Sequence, residues 1–272
     1  MPCTRTRAKV AAIAFTSLTL LTSLPRESAA GGDPQDQTPA AAQSQSPRTD
    51  RHADFLFGRP RRSISFRGNW LFASASSDLF DFVTDQLTID KKDFNAPGIG
   101  VYFSQALNSR LDVQGGYEFG RTAKDSEYRN LVDNNFNAIE QDTTLRTSQF
   151  VGSLRFALVP RGREVSRFAY VPSRVVPYVG AGGGAIYYDF KQTGDFVDYV
   201  DLRVFPDVFR SNGWAPTVHA LAGVDLQVYR ALYATLEGRY TKSSAKLSPD
   251  FVDFDPIDLS GFKLSAGFNL VF

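Results

Sequence analysis

The stretch from Ser260 to Phe272 reads SGFKLSAGFNLVF, and its reading decides the fold. Phe262, Leu264, Ala266, Phe268, Leu270 and Phe272 take every second position, with Lys263, Ser265 and Asn269 between them. A β-strand points successive side chains to opposite faces, so a period of two builds one apolar and one polar face. A helix would spread the same residues around its whole circumference.

The alternation recurs towards the N-terminus. ALYATLEGRYT sets Leu232, Ala234, Leu236 and Tyr240 against Thr235, Glu237 and Arg239. TVHALAGVDLQVYR sets Val218, Ala220, Ala222, Val224, Leu226 and Val228 against His219, Asp225 and Gln227. SQFVGSLRFAL sets Phe150, Leu154, Phe156 and Leu158 against Ser153, Arg155 and Ala157. RLDVQGGYEFG sets Leu111, Val113, Tyr117 and Phe119 against Asp112, Gln114, Gly116 and Glu118. GIGVYF places Ile99, Val101 and Phe103 together, and ISFRGNWLFA places Ile64, Phe66, Gly68, Trp70 and Phe72 opposite Ser65, Arg67 and Asn69. VVPYVGAGGGAIYYDF (175–190) is strand-like, but its glycines leave the parity open.

These are eight strands of about ten residues, the length with which a tilted strand crosses a bilayer core. No helix is expected between them. Long connections (about 74–96, 121–145, 191–214 and 243–258) alternate with short ones at Leu107–Ser109 and Tyr229–Ala231 and a basic intermediate one over about 160–174. Antiparallel up-and-down connectivity puts the long loops at one end and the turns and both termini at the other. That is the layout of an outer-membrane barrel.

A soluble up-and-down barrel also alternates, with its apolar face inward. The polar face discriminates. It is rich in Gly and Ser, including Ser65, Gly116, Ser153, Gly223, Ser265 and Gly267. Small residues suit the cramped interior of an eight-stranded barrel. The other face is large and aromatic, as a lipid-facing band should be.

Composition agrees. The chain has 272 residues, 13% aromatic, with 23 Phe, 11 Tyr and 21 Gly. A mean hydropathy of −0.22 excludes a bundle of spanning helices, and the aromatic content excludes a disordered chain. A net charge of +1 carries no basic field for nucleic acid. Arg5, Arg7 and Lys9, an apolar run from Val10 to Leu24, and small residues at Ser28–Ala30 form the pattern of a cleaved export signal over 1–30. Without it the side chains number 26 positive and 28 negative, and Cys3, the single cysteine, is gone. Residues 31–62, rich in Gln, Ala, Pro and Ser, read as a disordered periplasmic tether. The barrel domain is 63–272.

The terminal Phe272, with apolar residues at every second position back to Phe262, resembles the small outer-membrane β-barrel family of Gram-negative bacteria, the OmpA-like, OmpX-like and OmpW-like eight-stranded barrels. The glycine-rich stretch 177–190 resembles that family's mid-barrel strand more weakly. The resemblance covers about 63–272. It implies the outer membrane, contact with its lipid, and an assembly signal (Phe262, Leu264, Phe268, Leu270 and Phe272) read by the outer-membrane assembly machinery. It implies no activity, since a fold does not dictate chemistry.

The polar face assigns Arg67, Asp112, Glu118, Arg155, His219, Asp225, Glu237, Arg239 and Lys263 to the interior. Ion pairs are expected there, since a lone buried charge is costly. Arg67, Arg155, Asp225, Glu237, Arg239 and Lys263 form the expected network. Glu237 is its expected hub, with Lys263 reaching it from the neighbouring strand. His219 has no neighbouring Ser, and position 221 is Leu, so the His and Ser two apart of a deacylase-like site are missing. No catalytic, cofactor or metal residue is assigned.

The long loops share a unit: DFVTD at 81–85, DFVD at 195–198 and DFVD at 250–253, with a looser NLVD at 130–133. A common packing unit has Phe82, Phe196 and Phe251 making contacts and Asp81, Asp195 and Asp250 facing water. The sharper reading is a crown for an unidentified extracellular ligand or a cation, although the acids lack EF-hand spacing. The function expected is a structural or surface-interaction role without catalysis. Its rivals are a narrow channel for small or hydrophobic solutes and a lipid-modifying enzyme.

Overall fold

The computed structural model describes residues 56–272. The export signal expected over 1–30 and most of the tether expected over 31–62 lie outside the described residues. In chain order the elements are β1 (Arg62–Ala73), α1 (Asp78–Gln86), β2 (Ala96–Ala106), β3 (Leu111–Val132), β4 (Ala138–Ala157), β5 (Gly162–Ser166), β6 (Ala169–Pro172), β7 (Val175–Val197), β8 (Val204–Tyr229), β9 (Leu232–Ala245), β10 (Ile257–Asp258) and β11 (Gly261–Val271). Short 3-10 turns lie at Lys91–Phe94 and Pro249–Phe251.

Eight of these strands close a ring. β1, β2, β3, β4, β7, β8, β9 and β11 pair antiparallel in that order, and β11 pairs back onto β1. Closure leaves no open edge, so ladder N–H and C=O groups are satisfied without water. The alternation decides which face looks out. Phe66, Trp70, Ile99, Phe103, Leu154, Leu236, Leu264 and Phe268 are exposed on the outside. Ser65, Arg67, Ser104, Gln114, Ser153, Thr235, Glu237 and Ser265 are buried within. A contiguous aromatic and aliphatic exterior around a polar core is the surface of a barrel whose solvent is lipid. The fold is an eight-stranded antiparallel up-and-down transmembrane β-barrel.

The parity of β7 is settled by its partners. Val176, Tyr178, Ile186, Tyr188 and Phe190 are buried, so the even positions face inward, Gly180, Gly182 and Gly184 among them. These glycines lie close against the β4 backbone, where an added Cβ would meet the carbonyl oxygens of Leu154, Gly152 and Phe150 in turn. A Cβ on Gly182 would stand 2.8 Å from His219 Nε2.

Three expectations are corrected. The barrel strands are not all about ten residues long: β3, β4, β7 and β8 run to 22, 20, 23 and 26. Most of the expected loops at 121–145 and 191–214 are therefore hairpin arms standing beyond the barrel, with tips of only 133–137 and 198–203. Second, the first loop contains helix α1, in which Leu79, Phe80 and Val83 are buried on one side. Third, the basic connection 160–174 holds the β5–β6 hairpin. Leu56 bridges to Tyr170 of that hairpin, so the segment ahead of β1 packs against the barrel's turn end.

Helix α1 lies across the loop end of the barrel. Its Phe80 ring meets Phe94 edge-on at 4.6 Å and Phe190 at 6.4 Å. Around them Leu145, Ile186, Tyr188 and Ala215 from the barrel wall join Phe251, Ile257 and Leu259 from the last loop. The mouth at this end is thus closed by a dry apolar core.

Candidate functional site

Below that core the lumen is filled by charge. On β9, Glu237 and Arg239 are two apart and share the inward face. The Glu237 carboxylate accepts from Arg67 Nη1 at 2.8 Å, Arg239 Nη2 at 2.7 Å and the Tyr178 hydroxyl at 2.9 Å. Arg239 also donates to Glu118, which accepts from Lys263 and, at 2.6 Å, from the Tyr102 hydroxyl. The Arg67 guanidinium lies 4.3 Å from the Tyr102 ring centroid, a cation–π contact. Gly116 makes room for that ring, because a Cβ there would stand 2.3 Å from it.

A second cluster lies nearer the turn end. Arg155 Nη2 donates to Asp225 at 2.9 Å, its guanidinium lies 3.8 Å from the Tyr178 ring centroid, and Thr235 donates to Asp225 at 2.7 Å. Arg161 reaches in from the β4–β7 connection and pairs with both Asp112 and Asp225. With its amide oxygen turned to the guanidiniums, Gln114 accepts from Arg67 at 3.1 Å and Arg155 at 2.9 Å. The two clusters then form one file down the barrel: Lys263, Glu118, Arg239, Glu237, Arg67, Gln114, Arg155, Asp225, Arg161 and Asp112. Every carboxylate in it has a cation, as burial requires.

The structure thus brings Arg67, Glu237 and Arg239 together and joins Arg155 to Asp225. It corrects one contact. Lys263 pairs with Glu118 and lies 3.3 Å from the Gln149 amide oxygen, instead of reaching Glu237. Lys263 stands opposite Arg239 in the β9–β11 register, so its side chain extends across the lumen towards β3. The central parts of Tyr102, Tyr178 and Gln114 escape a reading that weighs only charge, although alternation places Tyr102 opposite Val101. Arg161 has no signal in any periodicity, because it lies in a connection and its partners, Asp112 and Asp225, are on two separate strands, β3 and β8.

His219 lies inside the barrel, and it has a neighbour that the sequence around it does not disclose. Ser153, distant in sequence, lies 2.8 Å from His219 Nε2 across β7. A hydroxyl beside an imidazole is the start of a nucleophilic pair. Here the orienting carboxylate is missing among the described residues, since Nδ1 has no protein partner. Both side chains are buried. Beside the charge file lie a cavity of about 50 Å³ at the turn end and one of about 20 Å³ next to Lys263. Those volumes hold a few waters.

The repeated loop unit does not pack uniformly. Phe196 and Phe251 are buried in a chain of rings, Phe196 meeting Phe209 at 4.5 Å and Phe209 meeting Phe251 at 6.2 Å. In α1 the helical turn instead buries Val83 and leaves Phe82 41% exposed against Phe254. Asp81 pairs with Lys91 at 2.6 Å, Asp250 accepts from the Arg210 backbone N–H, and the Asp195 carbonyl accepts from Gln141. Phe262, Leu264, Phe268, Leu270 and Phe272 are all exposed on the outer face.

No protein-family model matches the chain, and no curated protein matches it. Several solved structures are similar. The N-terminal β-barrel domain of Pseudomonas aeruginosa OprF is 12% identical, over 79% of this chain and 99% of that one, with a TM-score of 0.37. Neisserial surface protein A is 14% identical over 78% and 96%, with a TM-score of 0.41. The outer membrane protein OprG from Pseudomonas aeruginosa is 12% identical over 80% and 98%, with a TM-score of 0.40.

Proposed function

We propose that the chain is an outer-membrane barrel with a closed lumen and a non-catalytic role: it anchors in the envelope and presents a rigid crown at the cell surface. The carrying observation is the double closure of the lumen, by the apolar core around Phe80 at one end and by the paired charges from Lys263 to Arg161 beneath it. The crown stands on the extended β3–β4 and β7–β8 arms, whose tips hold exposed Phe136, Val200 and Leu202. Assembly proceeds through β11 and its outward-facing residues up to Phe272, and the turn end, where β1 begins and β11 ends, faces the periplasm.

Two measurements test this. Refolded protein in planar bilayers should show no steady conductance, whereas a stable open level would favour the solute channel. Val200→Cys should react with a membrane-impermeant maleimide in intact cells, and Arg167→Cys only after the outer membrane is permeabilised. The reverse pattern would overturn the orientation.

A further inference from the structure

The two ends of the barrel carry opposite charge. The connections at the crown (74–95, 133–137, 198–203 and 246–260) contain twelve Asp and four Lys or Arg. Those at the turn end (56–61, 107–110, 158–174 and 230–231) contain eight Arg, one Glu and no Lys. Nothing in the near-neutral total discloses this division. Of the turn-end arginines, Arg161 is held by buried aspartates. Arg61, Arg110, Arg163, Arg167, Arg174 and Arg230 are exposed and have no carboxylate within 4.0 Å among the described residues. Like charges gathered at one end of a barrel repel one another unless an anion lies between them.

We infer that this ring binds the anionic phosphodiester headgroups of phospholipids in the periplasmic leaflet; the inference rests on the membrane-barrel reading above. Position carries the argument. Arg174 immediately precedes Val175, and Arg230 immediately follows Val228 and Tyr229, all exposed on the apolar exterior. At about 3.3 Å per residue, the guanidiniums fall within the few ångströms of headgroup layer that border the hydrocarbon. The β5–β6 hairpin repeats the pattern. Arg163 and Arg167 stand beside exposed Val165 and Phe168, so cationic and apolar side chains share one exposed edge, as a membrane interface accommodates. Residue type agrees too, because guanidinium matches phosphate in a bidentate fork and ammonium does not.

The test uses the refolded barrel in bilayers of nine parts phosphatidylcholine to one part phosphatidylglycerol, followed by mass spectrometry of the lipids retained on the protein. Phosphatidylglycerol should be enriched over its bulk share, and 0.5 M NaCl should reduce the enrichment. Arg163→Gln/Arg167→Gln/Arg230→Gln should lower phosphatidylglycerol affinity about a hundredfold, near fivefold for each arginine. Retention at the bulk ratio, or equal retention by the triple variant, would overturn the inference. Arginine-dependent sedimentation with purified peptidoglycan, without lipid enrichment, would also overturn it and assign the surface to the cell-wall polymer. Heat-modifiable gel mobility is read on every sample, so a chain that never inserts counts against the barrel reading and is told apart from an inserted barrel without lipid preference.

Discussion

Replacing Glu237 with Gln removes the one anion that Arg67 touches among the described residues. The carboxylate is fully buried and accepts from two guanidiniums and a phenol, at 2.7 to 2.9 Å. The amide keeps one acceptor oxygen and turns an N–H₂ donor towards a second donor. Arg239 retains Glu118, but Arg67, whose side chain is also fully buried, is left facing Tyr102, Gln114 and no carboxylate. Breaking a buried pair from one side costs about 3–5 kcal/mol, more than the pair's own net contribution, because the survivor stays charged and dry. Urea titration in phospholipid vesicles reads this directly. Trp70 and Trp214, the two tryptophans of the chain, lie on the outer face and change environment when the barrel leaves the bilayer. The double variant Arg67→Gln/Glu237→Gln removes both charges and should recover a substantial part of the loss. A single variant within about 1 kcal/mol of wild type, or a strictly additive double variant, would refute the account of the lumen as an interdependent file of charges.

Gly116→Ala forces the Tyr102 ring aside and with it the hydroxyl on Glu118, so urea stability should fall by about 1–3 kcal/mol, and Tyr102→Leu in the same background should remove most of the extra cost. Phe272→Ala deletes an exposed terminal anchor while leaving its backbone bonds to Arg62, so outer-membrane yield should fall in cells more than stability falls in vitro; equal yield would sink the assembly role. Burial pushes the Asp258 carboxyl up, but hydrogen bonds from Ser260 and Ser76 outweigh it and hold it below its ordinary value of 3.8. A depressed value means the tie is present above pH 3.8 and is lost as pH falls through the lower folded-state value. Hydrogen exchange around Ser74–Ser77 and Ser260 should therefore be flat from pH 8 to 5, once corrected for intrinsic exchange rates, and faster in acid, and Asp258→Asn should abolish the difference.

The sequence by itself determined the barrel and its inside-out polarity. Alternation is a local property, and Leu264, Ser265 and Ala266 disclose their faces without reference to any partner. Glycines on both faces of Gly180–Gly184 silenced that signal, and the parity of β7 had to come from β4 and β8 on either side. Helix α1 was equally hidden: Leu79, Phe80 and Val83 fall on one helical side, but nine residues repeat that period over only about two to three turns, and what buries them is a mouth assembled from distant strands. The same holds for chemistry. That Lys263 and Glu118 face inward is local, but that they meet depends on the stagger with which strands three apart come together on closure. Ser153 meets His219, and Arg161 meets Asp112 and Asp225, for the same reason. Tertiary structure alone decided these pairings, because the distance across a lumen is set by strand number and shear and is written in no single strand.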